Sequence, residues 1–418
     1  MMQGSFPSPG QRAVARCDAL AVAPFSQAAE YLDRPYLSGA HRAALDQTAV
    51  WMQEAGMAVR IDPLGNLVGR YEGAQKGAKT LLMGSHIDTV HDGGPYDGAL
   101  GVMIGIECAD ALYRAGRRAP FALEVIAFGD EEGSRFPAAM MCSRGMSEAV
   151  GQEALNMVDL AGTTLAEAMS AFGLNPEALA NAVRAPNDIL AFVEAHIEQG
   201  PVLETQGLPV CVVSGIAAQK RLRARFIGHA GHAGTAPMTL RRDAIAGAAA
   251  AILAVEDVCV HGSPDLRGTV GRVLPATAAY NVIAGEAEIG VDVRAATEAA
   301  RDEAVRAIGA RFETIASARG LGLDFTVIQD LPATRCDPVL MKVMGDAVAG
   351  QGLPLLETLS GAGHDAAVMA KLAPIVMLFI RCEGGISHNP LESVADDDVD
   401  VAVRVLGDFI ERLALEDA

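Results

Sequence analysis

The stretch from Thr80 to Gly129 constrains the fold more than any other. An apolar run, TLLMGSH, is followed by the helical segment GVMIGIECADALYRAG and then by a second apolar run, FALEVIAFG. Strands alternating with helices predict an α/β layer with a largely parallel sheet. In such sheets ligands gather beyond the carboxyl ends of the strands. The segments GSHIDT and GDEEGS both lie at such ends. Upstream, GAHRAALDQTAVWMQEAGM carries apolar residues at helical spacing and stops at Gly56, and the strands AVRI and NLVGRY flank the turn DPLG.

After HIEQGPVLETQGLPV the pattern changes. KRLRARFI, TVGRVL, AEIGVDVRA and LDFTVI read as strands, packed with helices in LRRDAIAGAAAAILAVED and EAARDEAVRAIGARFETIASARG. This is expected to be a separate α+β unit inserted into the first. The chain then returns to the α/β layer with a helix near PVLMKVMGDAVAG, the loop SGAGHDAAVMA, the strand PIVMLFI, the loop GGISHNPLES and a closing helix from Asp396. The expected organisation is therefore a first catalytic segment 1–214, an inserted domain 215–330 and a second catalytic segment 331–418. A length of 418 residues fits such a division.

Bulk properties exclude several classes of function. Half the residues are hydrophobic and a fifth are charged, which argues for folded domains over disorder. A formal net charge of −19, with no clustered Lys and Arg, excludes nucleic-acid binding. MMQGSFPSPGQRAVARCDALAV has no continuous apolar core, and AIAGAAAAILAV falls short of the ~20 residues of a membrane span, so no membrane partner is expected. Seven cysteines without a CxxC pair suggest neither a disulfide framework nor a Cys-type zinc site. The reading is a cytoplasmic enzyme.

The chemistry is concentrated at the strand ends. AFGDEEGSRFP crowds Asp130, Glu131 and Glu132 behind an apolar run, which describes either a solvated acidic turn or a place where a cation sits. Asp130 is read as solvated or capping. His86 and Asp88 are two apart, so a persisting strand projects both to one face, where a carboxylate can hold the second nitrogen of a metal-bound imidazole. Asp97, in GPYDGALGV, is an N-cap residue or a ligand. His196 ends the run ILAFVEAHIE, and His388 lies in a Gly-rich loop after PIVMLFI. Each alone is an ordinary polar residue. Together they make a nitrogen and oxygen donor set without Cys, which suits a catalytic divalent-ion site better than a structural one. GAQKGAKT is not a phosphate loop, because its Gly and Lys are not adjacent and a strand follows it; HExxH, GxSxG and GxGxxG motifs are absent.

GSHIDTV, YDGALGV, GDEEGSRF, HIEQGP, GHAGTAPM, GAGHDA and SHNPLES occur together and in that order. In this the chain closely resembles the amidase, hydantoinase and carbamoylase branch of the M20 metallopeptidase-like family, from about Tyr31 to the end. The resemblance implies a catalytic α/β domain carrying a smaller lid domain that also forms a homodimer interface. It implies two divalent metal ions per subunit: one on His86, Asp97 and His196, the other on Asp97, Glu132 and His388. Zinc and manganese suit those donors, with cobalt and nickel as alternatives. Glu131 matches the catalytic base, and Asp88 would orient His86. His232, in GHAGHAGTAP, matches the group that polarises the scissile carbonyl, and Asn281 and Arg294 match positions that hold a substrate carboxylate. Gln199, Gln219, Gly363 and His364 are further expected contacts. The segment EEGSRF implies cleavage of carbamoyl or ureido groups, so the expected substrate is a small ureido acid, with allantoate ahead of an N-carbamoyl-L-amino acid or 3-ureidopropionate. Ala236 stands where Thr is frequent, a departure that touches pocket packing and no ligand. A catalytically silent, ligand-binding relative would lack the base or a ligand, and here every such position is filled.

Overall fold

Largely apolar runs become strands when both faces of a sheet are covered, and that is what Thr80–His86 and Ala122–Phe128 do: every residue in both is buried. The computed structural model describes residues 7–277 and 279–416. Within them the main sheet runs in the order Ala58–Ile61, Leu67–Tyr71, Ala122–Phe128, Thr80–His86, Ile189–Ile197, Ile375–Ile380, Val210–Ile216. The four central strands are mutually parallel. Leu67–Tyr71 pairs antiparallel to Ala122–Phe128 on one side, and Val210–Ile216 antiparallel to Ile375–Ile380 on the other. The architecture is α/β with a largely parallel central sheet.

The described residues form two compact units, one built from the chain up to Ser214 and again from Arg335, the other spanning Gly215–Thr334. In the first, the helix Ala99–Arg114 is buried from Ala99 to Asp110, because it fills the space between the sheet and two further helices, Pro9–Leu20 and Asp396–Glu416. It carries a charge into that core. Glu107 is buried, and Arg16 compensates it at 2.8 Å together with Arg12. A buried carboxylate without such partners is strongly disfavoured.

The second unit is a four-stranded antiparallel sheet in the order Gly322–Leu331, Ala218–Ile227, Glu286–Ala295, Arg267–Pro275. The helices Ala244–Val260 and Glu298–Arg319 contribute to its core with Leu222, Phe226, Ile289, Val291, Val293, Ile308 and Phe312. Burial alternates strictly along Glu286–Ala295, as one-sided covering of an antiparallel strand requires. Among the described residues no helix is long and apolar enough to cross a membrane, and all seven cysteines are free.

Candidate metal centre

The parallel strands end level with one another, and the residues just past their ends are polar. His86 closes Thr80–His86 and stands in register with Phe128, after which the chain runs through Gly129 into Asp130, Glu131 and Glu132. His196 stands in register with Phe379, and the strand bearing Phe379 leads into the loop of His388. Asp97 comes from the turn that opens the buried helix Ala99–Arg114. Gly98, at φ +66°, is required there: a Cβ at that position would meet the His86 ring at 2.4 Å.

Asp97 is the centre of the cluster. Its Oδ1 lies 3.1 Å from His196 Nε2 and 3.7 Å from His86 Nε2, and its Oδ2 lies 3.1 Å from His388 Nε2. His388 Nε2 is 3.4 Å from Glu132 Oε1. The donor atoms of His86, Asp97 and His196 fall within 4.8 Å of one another, and so do those of Asp97, Glu132 and His388. Two donor groups therefore share one carboxylate. Mixed imidazole and carboxylate donors fit borderline divalent ions, and burying Asp97 beside Glu132 is costly without positive charge between them. The residues present fit a pair of such ions.

The electrostatics select for positive charge. Burial works against charging Asp97, yet hydrogen bonds to His196, His388 and His86 outweigh it and hold the carboxyl well below its usual range. Burial likewise opposes charge on His86 and His196, but neighbouring carboxylates, Asp88 and Asp97 for the first and Asp97 for the second, hold both imidazoles above their ordinary value. Burial raises Glu132 to about 7, with Asp97 adding to the shift and His86 and His388 opposing it. Glu131 is raised well above the carboxylate range by burial, against His86 and with Glu132, Asp365 and Asp88.

Surrounding groups fix these side chains. The strand stops at His86, so alternation no longer dictates where Asp88 points. His86 Nδ1 donates to the main-chain carbonyl of Asp88 at 3.0 Å, while the nearer Asp88 carboxylate oxygen is 3.6 Å away. That carboxylate accepts instead from the main-chain N–H groups of Glu131 and Glu132 at 3.1 and 3.2 Å. His196 Nδ1 donates to the Ile197 carbonyl at 2.9 Å. Gln199 Nε2 donates to both Asp97 oxygens and Ser387 Oγ donates to Oδ2. His364 is buried, bonded to Ser360 Oγ at 2.7 Å, with its ring 4.5 Å from that of His196. A Cβ on Gly363 would meet Met140 Cε at 2.7 Å and come within 4.0 Å of Glu131 Oε1, so Gly363 lies beside that carboxylate.

Three readings change. The strand ends before Asp88, so its main-chain carbonyl and not its carboxylate holds His86 Nδ1. Asp97 is not an N-cap: Gly98 holds that position and no side chain caps the helix. Asp130 is neither solvated nor capping, being 0% exposed with both carboxylate oxygens lacking a hydrogen-bond partner. Local composition describes a wet turn, whereas the fold folds that turn under the strand ends, where burial, Asp88 and Asp365 raise Asp130 far above its usual value.

Four polar residues next to the cluster were not anticipated: Glu194, Asp365, Ser387 and Glu392. Glu194 accepts from Ser85 Oγ and the Ala366 N–H, both at 2.8 Å. It lies two residues before His196 on one strand, the same spacing that drew attention to His86 and Asp88, so that signal was available. Gln219, His232, Asn281 and Arg294 belong to the second unit. Gln219 and Arg294 are cross-strand neighbours, and both donate to Asp292. His232 and Asn281 are exposed.

Residues 82–412 match the model of the peptidase family M20/M25/M40. An N-carbamoyl-L-amino acid amidohydrolase of Geobacillus stearothermophilus is 40% identical over 373 residues, covering 89% of this chain and 91% of the relative. Allantoate deiminase 1 of Glycine max is 35% identical over 420 residues, covering 93% and 87%. Among solved structures, an amidase of the hydantoinase/carbamoylase family from Burkholderia multivorans superposes with a TM-score of 0.89 at 29% identity, covering 97% of this chain and 98% of that one.

Proposed function

The chain belongs to the peptidase family M20/M25/M40, and from that premise we propose that it is a two-metal amidohydrolase cleaving the ureido C–N bond of a small ureido acid, allantoate foremost. One observation carries the reading: two donor groups share Asp97, with Glu131 buried beside them. Two divalent ions bound there would polarise the scissile carbonyl and make a water acidic enough to be deprotonated at neutral pH. His86, Asp97 and His196 would hold one ion and Asp97, Glu132 and His388 the other.

The chain's own groups do the rest. Glu131 takes the proton of the attacking water and delivers it to the departing nitrogen. Asp88 keeps Glu131 and Glu132 in place through their main-chain N–H groups. His232 donates to the carbonyl oxygen as negative charge develops on it. Arg294, Asn281 and Gln219 hold the substrate carboxylate, for which a guanidinium fork is well shaped. Gln199, Gly363 and His364 line the reacting end. The second unit serves as a lid and a homodimer interface, and the enzyme works in the cytoplasm, a reducing compartment in keeping with its free cysteines.

A second reading, an N-carbamoyl-L-amino-acid amidohydrolase, is favoured by the 40% identity to the Geobacillus stearothermophilus relative. Both follow from one experiment. Chelator-stripped protein is assayed for ammonia release from allantoate, N-carbamoyl-L-amino acids and 3-ureidopropionate, with zinc or manganese restored. Turnover of allantoate above the others supports the first reading, and preference for carbamoyl amino acids supports the second. Metal-independent turnover, or none of any ureido acid, defeats both.

A further inference from the structure

Glu392 belongs to neither donor group, yet it is where two ligand-bearing loops are joined. Only 4% exposed, it reaches from the loop after Ile375–Ile380 to the turn before the helix Ala99–Arg114. There its Oε1 accepts from the main-chain N–H of Tyr96 at 2.7 Å and of Asp97 at 2.9 Å. The fit is close: a Cβ on Gly94 would lie 2.3 Å from Glu392 Cδ and 2.5 Å from Oε1. At its other end the Glu392 N–H donates to the Asn389 carbonyl at 3.0 Å, tying the residue to the segment that begins with His388.

The two donor groups differ in what supports them. His86 and His196 lie on strands held in register, and their side chains are 3% and 1% exposed. His388 lies on a loop in left-handed backbone geometry, φ +53°, with a side chain 51% exposed. Left-handed geometry is unfavourable for a residue with a Cβ, so something beyond the loop itself must hold it there. The Glu392 bond to the Asp97 turn is such a hold, and it acts between the two residues, Asp97 and His388, that the second group needs together.

We propose that Glu392 is a positioning residue for the second group: by clamping the turn of Asp97 to the loop of His388 it assembles Asp97, Glu132 and His388, while the first group shares only Asp97 with that clamp and keeps His86 and His196 on the sheet. This rests on the two-ion reading above, and the test separates them. Zinc is titrated calorimetrically into chelator-stripped full-length chain, wild type and variants, with thermal melting as the check on folding. Wild type is expected to take up two ions. In Glu392→Ala the weaker of the two constants should fall about 10–100-fold, the usual consequence of losing a group that supports a ligand, while the stronger changes little. Glu392→Gln keeps an acceptor oxygen and should restore the weaker site. If Glu392→Ala does not fold, Gly94→Ala displaces the carboxyl from the other side and should give the same selective loss. Two unchanged constants, or two that fall together, overturn the proposal for Glu392; a wild type binding fewer than two ions overturns the two-ion reading instead.

Discussion

The two units hold their polar residues in opposite ways. In the first, His86, His196 and Asp97 are buried at the ends of parallel strands or in the turn beside them, and each of the three is fixed by a further bond: His86 by the Asp88 carbonyl, His196 by the Ile197 carbonyl, Asp97 by Gln199 and Ser387. In the second, the candidate polar groups stand on the uncovered side of an antiparallel sheet or in and beside the two-residue strand Gly231–His232: His232 and Asn281 are exposed and Arg294 is half-buried, with Gln219 buried next to it. Groups preorganised in a low-dielectric site act on charge as it develops, at no cost of reorganisation during the reaction. Groups on an open face suit recognition, because they are already solvated and can yield to an incoming carboxylate. The difference teaches where substitutions should strike: rate in the first unit, affinity in the second.

Glu131→Gln is the hardest test of that division. The amide fills the same space but cannot accept the proton of the attacking water, so kcat should fall by about 10²–10⁴-fold. The donors of both groups are untouched, so zinc uptake should remain at the wild-type level. A variant retaining full turnover, or one that loses its ions, would break the contrast between reacting and ligating carboxylates on which the reading rests.

Arg294→Lys probes the other side with a smaller effect. The Arg294 guanidinium is aligned by Asp292, which accepts from its Nε at 2.7 Å and from one terminal nitrogen at 3.2 Å. Lys keeps the charge and loses the planar fork. KM should rise by about tenfold, roughly 1.4 kcal/mol, with kcat nearly unchanged. A fall in kcat at constant KM would place Arg294 with the reacting groups and blur the division between the units.

Legibility in the sequence follows the same line. The strand–helix–strand core could be read because full burial forces largely apolar runs, and His86, His196, Glu131 and Glu132 stood out as candidates because they close such runs or follow them by a few residues, whereas Asp97 and His388 lie on turns farther along the chain. What escaped was set by distant packing. The helix Pro9–Leu20 went unread, although Ser8 and Gln11 form a capping box ahead of it and Pro9 starts it; its purpose, delivering Arg12 and Arg16 to the buried Glu107, is visible only in three dimensions. Glu392 was missed because it binds main-chain N–H groups, which no side-chain motif reveals. Asp130 was misread because the acidic run is locally a solvated turn, and only the fold brings Asp365 close and removes the water.

The smallest effect expected is on stability, and it again separates the units. In the chelator-stripped chain, burial raises Glu132 to about 7 and Glu392 to about 7; burial also raises Glu131, Asp130 and Asp365, and His86 and His196 stay raised because their carboxylate neighbours outweigh burial. A group whose folded pKa exceeds its unfolded value, ~4 for a carboxyl and ~6.5 for an imidazole, lends its full stability below the unfolded pKa. That stability is lost as pH rises towards the folded pKa, because the folded chain binds more protons than the unfolded one. Asp97 has the opposite sign and loses its contribution only as pH falls below ~4. Between pH 5 and 8 the stripped first unit should therefore melt at progressively lower temperature, with each kcal/mol worth on the order of 2–4 °C. Divalent ions bind the deprotonated ligands and should flatten the curve. The second unit offers a control. Burial would raise Asp292, but hydrogen bonds from Arg294, Arg221 and Gln219 lower it, so its contribution is constant across this range. Calorimetry of stripped and zinc-loaded chain over that pH range checks the prediction. A melting temperature independent of pH in the stripped chain would mean that the cluster carries no excess of protons, and that its buried carboxylates are compensated by something other than cations.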